Sequence, residues 1–185
     1  MGLTMSRDAR KTVLKTIRMT EAEEEILRKD AESKGITFNA LVSSLITRYI
    51  EWDRLAERYG FIALPRQSLR YLISLLDKDQ LEKFGRETGS SNASGITLFW
   101  FKRLDAQTFL SFLSISAKYC KIWDYEFGRQ GPNFVLTVHN DIDAAYSIVH
   151  RHYFDQAIRS IVGAVPKIED KGNAVVFTFS EPPSR

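Results

Sequence analysis

The sequence predicts an α+β protein with a small head and a larger body. Three observations carry that expectation. Residues 11–19 alternate like a strand and lead into two runs with helical spacing. A stretch rich in glycine, serine and asparagine, residues 88–95, interrupts the chain near its middle. Beyond it the pattern strand, strand, helix, strand, strand implies an antiparallel sheet with helices on one side. A chain of 185 residues can hold one or two domains with a real core. The expected division is a flexible basic arm at 1–10, a head at 11–58, a helical connector and linker at 59–95, and the body at 96–185.

Side chains on a strand alternate between faces. Val13, Lys15, Ile17 and Met19 therefore share one face, and Leu14, Thr16 and Arg18 share the other. A lone strand leaves its backbone groups unsatisfied. The same strand from a second chain would complete a two-stranded antiparallel ribbon. Thr20, with Glu23 three residues on, has the spacing of a capping box that opens a helix. Glu21, Glu23, Glu24 and Glu25 crowd its first turn, where the helix dipole favours negative charge. Ile26, Leu27 and Ala31 form its apolar side, and Gly35 stops it. Thr37 then caps a second helix that runs on through Leu55. Leu41, Val42, Leu45, Ile46, Tyr49 and Ile50 form its broad apolar stripe. One strand and two helices are too small to bury that stripe alone, so an interlocked dimer is expected.

Residues 11–52, as strand, capped helix, glycine stop and second capped helix, resemble the ribbon-helix-helix family of DNA-binding proteins. The resemblance covers roughly the first third of the chain. It implies a dimeric ribbon in the major groove of double-stranded DNA, which a two-stranded ribbon fits. The outward strand residues read base edges in that family, a role that falls here to Leu14, Thr16 and Arg18. Arg18 is the most informative, because a guanidinium bonds bidentately to guanine. Lys11 and Lys15 add charge nearby, although alternation puts Lys15 on the inner face. The N-terminus of the second helix clamps the DNA backbone in the family; here that turn is Thr37, Phe38 and Asn39. It carries no Arg or Lys, so the clamp would rest on amides and polar side chains.

The connector and body follow. Pro65 can start a helix with Leu69, Leu72, Ile73, Leu75 and Leu76 apolar. Asp77 to Glu87 has the pattern of a further short helix. Ile96 to Phe101 is apolar and aromatic and reads as strand. Asp105 caps a helix carrying Phe109, Leu110, Phe112, Leu113 and Ile115. Lys121 to Phe127 and Phe134 to His139 alternate as strands around the turn Gly131-Pro132-Asn133. Trp123, Tyr125 and Phe127 share one face of the first strand; Phe134, Leu136 and Val138 share one face of the second. Asp141 or Asp143 begins a long amphipathic helix with Ile142, Ala145, Tyr146, Val149, Tyr153, Phe154, Ala157 and Ile161 on its stripe. Val165 to Glu169 and Ala174 to Phe179 close the pattern as two strands around Lys171-Gly172-Asn173.

Composition narrows the function classes. No apolar run approaches the roughly 18 to 20 residues of a membrane span, and no signal peptide is evident. A single cysteine, Cys120, excludes an internal disulfide and, with these features, points to a cytoplasmic protein. Residues 1–18 hold five basic side chains against one acid, Asp8, which exceeds the whole chain's net charge of +3. That charge lies where a DNA-binding ribbon needs it.

Few constellations suggest other chemistry. His139, His150 and His152 are spaced eleven and two apart. The nickel-responsive ribbon-helix-helix regulators use a similar spacing, followed by a cysteine six residues on; here that position is Ile158. His150 and His152 also fall in the long helix, where residues two apart point in different directions. The simpler expectation is one histidine at the helix flank and the other in solvent, with no metal cofactor. Cys120 reads as an inert buried thiol. The aromatic-rich set around Trp100, Phe112 and Trp123 is mostly core, with any excess free to line a small-molecule pocket or a dimer face. No phosphate-cradling glycine loop, metalloprotease motif or nucleophile elbow is present, so nothing points to an enzyme.

The sequence therefore reads as a sequence-specific DNA-binding transcription regulator, a homodimer or tetramer whose body oligomerises or senses a small-molecule effector. The alternative is an antitoxin or plasmid accessory protein whose C-terminal region grips a protein partner. The strand and helix periodicity from Phe61 to Phe179 disfavours it, since such tails are usually short and disordered.

Overall fold

A computed structural model describes residues 13–180. The chain divides into two compact units, one reaching Thr47 and one starting at Arg48.

In the first unit, α1 spans Glu21–Ser33 and α2 spans Phe38–Arg48. The Thr20 hydroxyl accepts from the Glu23 amide at 3.3 Å, and the Glu23 carboxylate accepts from the Thr20 amide at 2.7 Å, which completes the expected capping box. The helix ends in a Schellman motif. Ile36 N–H donates to Ala31 O at 3.0 Å and Gly35 N–H to Glu32 O at 3.0 Å. That geometry requires the left-handed backbone of Gly35, φ +63°. Exposed i,i+4 ion pairs join Glu24 to Arg28, Glu25 to Lys29 and Asp30 to Lys34. Exposed pairs of this kind contribute little to stability. Burial within the unit is slight: only Ala31 on α1 and Leu41 on α2 are buried. Residues 13–20 form neither helix nor strand, so the expected first strand is not seen; the strands of the described residues all lie between Trp123 and Phe179.

The second unit is α+β. A π-helical turn, Tyr49–Asp53, and α3, Arg54–Tyr59, lead to Gly60, whose φ of +94° ends the run. α4, Arg66–Ser74, follows Pro65, and α5, Lys78–Thr88, starts at a capping box between Asp77 and Gln80. The stretch expected as a linker is instead helical. It forms a second π-helical turn, Gly89–Ala93, that runs straight into α6, Ser94–Phe101. Residues 96–101, expected as strand, are therefore helix. α6 is apolar nearly all round, and a short apolar run does not by itself distinguish a strand from a buried helix. α7, Ala106–Cys120, opens at the Asp105 cap, where the Thr108 amide donates at 2.8 Å.

The body then follows the expected order. β1, Trp123–Gln130, pairs with β2, Asn133–Asn140; α8, Ala144–Ala157, crosses over, and β3, Lys167–Lys171, and β4, Ala174–Phe179, complete the sheet. The strand order is β1-β2-β4-β3, with every pair antiparallel. Alternation sorts the side chains. Phe134, Leu136 and Val138 on β2 and Val175, Phe177 and Phe179 on β4 are buried in one core with Phe109, Phe112 and Leu113 of α7, Phe154 and Ala157 of α8, and Ile158 in the π-helical turn that follows α8. The helices thus cover one face of the sheet. Asp143 caps α8 with its carboxylate on the Tyr146 amide at 3.0 Å.

Two glycines explain why the supposed linker folds back. Gly85 and Gly89, four apart on one helical face, lie against the backbone of α8. A Cβ on Gly85 would meet Val149 O at 2.6 Å, and one on Gly89 would meet Tyr153 Cα at 2.7 Å. Only hydrogen fits there, so α5 approaches α8 backbone to backbone.

Candidate functional site

Two regions carry candidate sites, one in each unit. The first unit holds the sequence-predicted DNA face. Leu14 is 96% exposed, and Lys15, Thr16 and Arg18 are exposed with it. Lys11 lies outside the described residues. The Thr37 hydroxyl accepts from the Ala40 amide at 3.2 Å, as a helix cap does. Asn39 beside it is exposed, while Phe38 is half-buried with the Arg28 guanidinium 6.0 Å from its ring centre. Leu14 to Arg18 run in one segment that is neither helix nor strand, and Thr37 leads into the first residues of α2, Phe38 and Asn39.

The three histidines lie in separate settings. His139 is on β2, its Nε2 3.6 Å from the Glu126 carboxylate of β1. His152 is half-buried on α8 with Nε2 3.7 Å from Glu82 of α5, not in solvent as expected. Burial lowers its pKa, although Glu82 opposes the shift. His150 is not at a helix flank but in the core, 4% exposed. Among the described residues no group of three His, Cys, Asp or Glu side chains could hold a metal ion. His139-Asn140-Asp141 is a structural junction: Asn140 Oδ1 accepts from the amides of Ile142 at 3.1 Å and Asp143 at 3.2 Å.

His150 belongs to a site that sequence reasoning did not assemble. It forms part of the wall of an apolar cavity of about 230 Å³ in the second unit. Trp52 on the first π-helical turn, Phe84 and Thr88 on α5, Ile96 on α6, and Phe112, Ser116 and Cys120 on α7 line it. Ile122 and Trp123 close the sheet end, and Tyr146, Val149, Tyr153 and Phe154 join His150 along α8. No Lys, Arg, Asp or Glu is among the lining residues. The His150 ring is boxed by aromatic neighbours, with centroids of Tyr146 at 4.6 Å, Phe154 at 5.6 Å and Trp123 at 6.4 Å. Its Nδ1 is buried and has no hydrogen-bond partner among the described residues. A buried polar atom left so costs about 1–3 kcal/mol.

The electrostatics follow from this burial. Burial pulls the His150 pKa down to about 3, so its imidazole is neutral at physiological pH. Burial pushes the Cys120 thiol up to about 11 and the Tyr146 hydroxyl up to about 12, and raises Tyr153 further. Every lining group is uncharged near pH 7. Trp52 is held in the wall by stacking on Tyr119 at 5.7 Å and by packing on Trp100 at 5.8 Å. Glu51 beside it accepts from Lys118 Nζ at 2.8 Å and Tyr119 Oη at 2.7 Å, and these bonds hold its carboxyl below the usual range.

The signals for this site were faint. The aromatic excess hinted at a pocket, and the Gly85 to Gly89 spacing marks a close helix approach. Neither identifies His150, whose burial depends on β1 and α8 meeting. No protein-family model and no curated protein matches this chain, so the sites rest on their own chemistry.

Proposed function

We propose that the chain is a dimeric, sequence-specific DNA-binding regulator of the ribbon-helix-helix type. One observation carries the reading: the apolar surface left bare on the first unit. Val13, Ile17 and Met19, the expected inner face of the ribbon, are exposed, as are Ile26 on α1 and Leu45 and Ile46 on α2. Two helices with only two buried side chains cannot hold a fold by themselves. A second copy laid strand against strand would cover these groups and satisfy the open backbone of residues 13–20. The same pairing would turn Leu14, Thr16 and Arg18 of both copies outward, where a two-stranded ribbon meets the major groove. The Thr37-Phe38-Asn39 turn would present amides to phosphate, with Lys11 and Lys15 adding charge.

The test is native mass spectrometry combined with selection of binding sites from random duplex DNA. A dimer that enriches a two-fold related motif is expected. Arg18→Ala should lose about 1–3 kcal/mol per contact on the selected site and relax its sequence preference, while binding to scrambled DNA falls less. A monomer at micromolar concentration, or an Arg18→Ala variant with undiminished preference, refutes the assignment.

A further inference from the structure

We infer that the cavity of the second unit is a binding site for a small uncharged molecule with an apolar body and a carbonyl oxygen, held by the tyrosine hydroxyls of α8, Tyr146 and Tyr153. The inference is independent of the DNA reading. Size and charge set the body of the ligand. An apolar cavity of roughly 150 Å³ accepts a benzene molecule, and about 230 Å³ leaves room for one ring with a short side chain. With no ionic side chain in the wall, a carboxylate, phosphate or ammonium would enter without a counter-charge, a costly transfer.

The oxygen follows from the polar atoms of the wall. Thr88 Oγ1 donates to Phe84 O at 2.6 Å, and Ser116 Oγ donates to Phe112 O, so both turn back to their own helices. Asn92 is exposed, and its Oδ1 accepts from Ser91 Oγ at 3.4 Å. His150 Nδ1 is sealed from open space and offers a ligand nothing. The hydroxyls of Tyr146 and Tyr153 differ from these. Neither bonds to a described residue, and neither is among the sealed polar atoms, so each keeps accessible surface. Burial raises the pKa of both, Tyr146 to about 12 and Tyr153 further, which marks them as remote from bulk water. Both also feel Cys120 electrostatically, a thiol of the same wall. The open space that the two residues border is the cavity itself. A phenol hydroxyl donates better than it accepts, because the ring draws charge from its oxygen, and a carbonyl oxygen has lone pairs for one such donor or two. The other unbonded polar groups of the wall, the indole N–H of Trp52 and Trp123 and the Asn92 amide, are donors as well, so none of them calls for a donor on the ligand.

The experiment uses the full chain and acetophenone labelled with ¹³C at its carbonyl, with ethylbenzene and benzoate as controls. Calorimetry should show saturable binding of acetophenone that ethylbenzene displaces, and benzoate should bind at least about tenfold more weakly, equivalent to about 1.4 kcal/mol. The ¹³C resonance of bound acetophenone should lie near its position in methanol, where the carbonyl accepts a hydrogen bond, and away from its position in cyclohexane, where it accepts none. This readout needs no variant to fold. Tyr146→Phe and Tyr153→Phe each remove the hydroxyl and keep the ring. At least one should weaken acetophenone binding about tenfold and move its resonance towards the cyclohexane position, while ethylbenzene, which reports an intact cavity, binds as before. Where a variant loses ethylbenzene too, the wild-type resonance decides. No saturable binding of acetophenone, benzoate bound as tightly, a wild-type resonance at the cyclohexane position, or two variants that both keep wild-type affinity and resonance each overturns the proposal.

Discussion

The two units solve the problem of apolar side chains in opposite ways. The body buries Phe109, Phe154, Phe177 and Leu136 almost completely between one sheet face and its helices. The head, with well-made caps at both ends of α1, leaves Val13, Ile17, Leu45 and Ile46 open. Local signals and burial are thus separable. Good caps contribute about 1 kcal/mol each, but a helix pair without a core gains most of its stability only from what covers it. The contrast supports reading the head as half of something and the body as self-sufficient.

The sharpest way to break that contrast is to strike the body core. Phe154→Ala removes a fully buried ring that packs on Trp123 at 5.0 Å and Phe177 at 6.0 Å. It should cost about 3–5 kcal/mol in denaturant unfolding of the body. A loss below about 1 kcal/mol would mean that the body does not depend on this core. In the head, Leu45→Asp should instead act through assembly. A charge on the bare α2 stripe should weaken dimerisation at least ~100-fold, about 2.7 kcal/mol, while the near-ultraviolet circular dichroism of the body aromatics stays unchanged. Unaltered assembly by sedimentation would show that the stripe is not the interface.

The α5–α8 contact gives a smaller effect. In an exposed helix Gly→Ala gains up to about 1 kcal/mol. At Gly89 the added Cβ would press on the Tyr153 backbone, so Gly89→Ala should lower stability by about 1–3 kcal/mol. A stabilised variant would contradict the close approach. A piece starting at Ile96 lacks α5 and should not hold the body fold.

A further effect is graded with pH. His150 has a folded-state pKa of about 3, below its ordinary value near 6.5. Between these values the unfolded chain binds the proton and the folded one does not, so stability rises with pH across that window. The contribution is complete above about pH 6.5 and falls by up to about 1.4 kcal/mol per pH unit below it. Stability measured from pH 7 to pH 4 should fall less steeply in His150→Phe than in wild type. Parallel curves would remove His150 as the acid-sensitive group.

Much of the fold was legible because its signals are local. Thr20 and Glu23, Gly35, Asp105 and Asp143 mark helix ends through bonds within a few residues, and each occupies the expected cap or stop. The alternation of Phe134, Leu136 and Val138 names the buried face of β2 without knowledge of its partners. Residues 88–101 misled for a physical reason. Glycine and serine usually break helices, but Gly89 serves close packing, while Ser91 and Ser94 return their hydroxyls to Glu87 O at 2.7 Å and Ser90 O at 2.6 Å.

What the sequence determined by itself was the succession of capped helices and alternating strands, the α+β class of the body, and the bare stripe of the head. Each depends on residues near one another in the chain. Only the tertiary structure decided the sheet order β1-β2-β4-β3, the burial of His150 and the cavity it lines. Those depend on segments as distant as Trp52 and Phe154 coming together around one cavity, and no local periodicity encodes which distant surfaces meet.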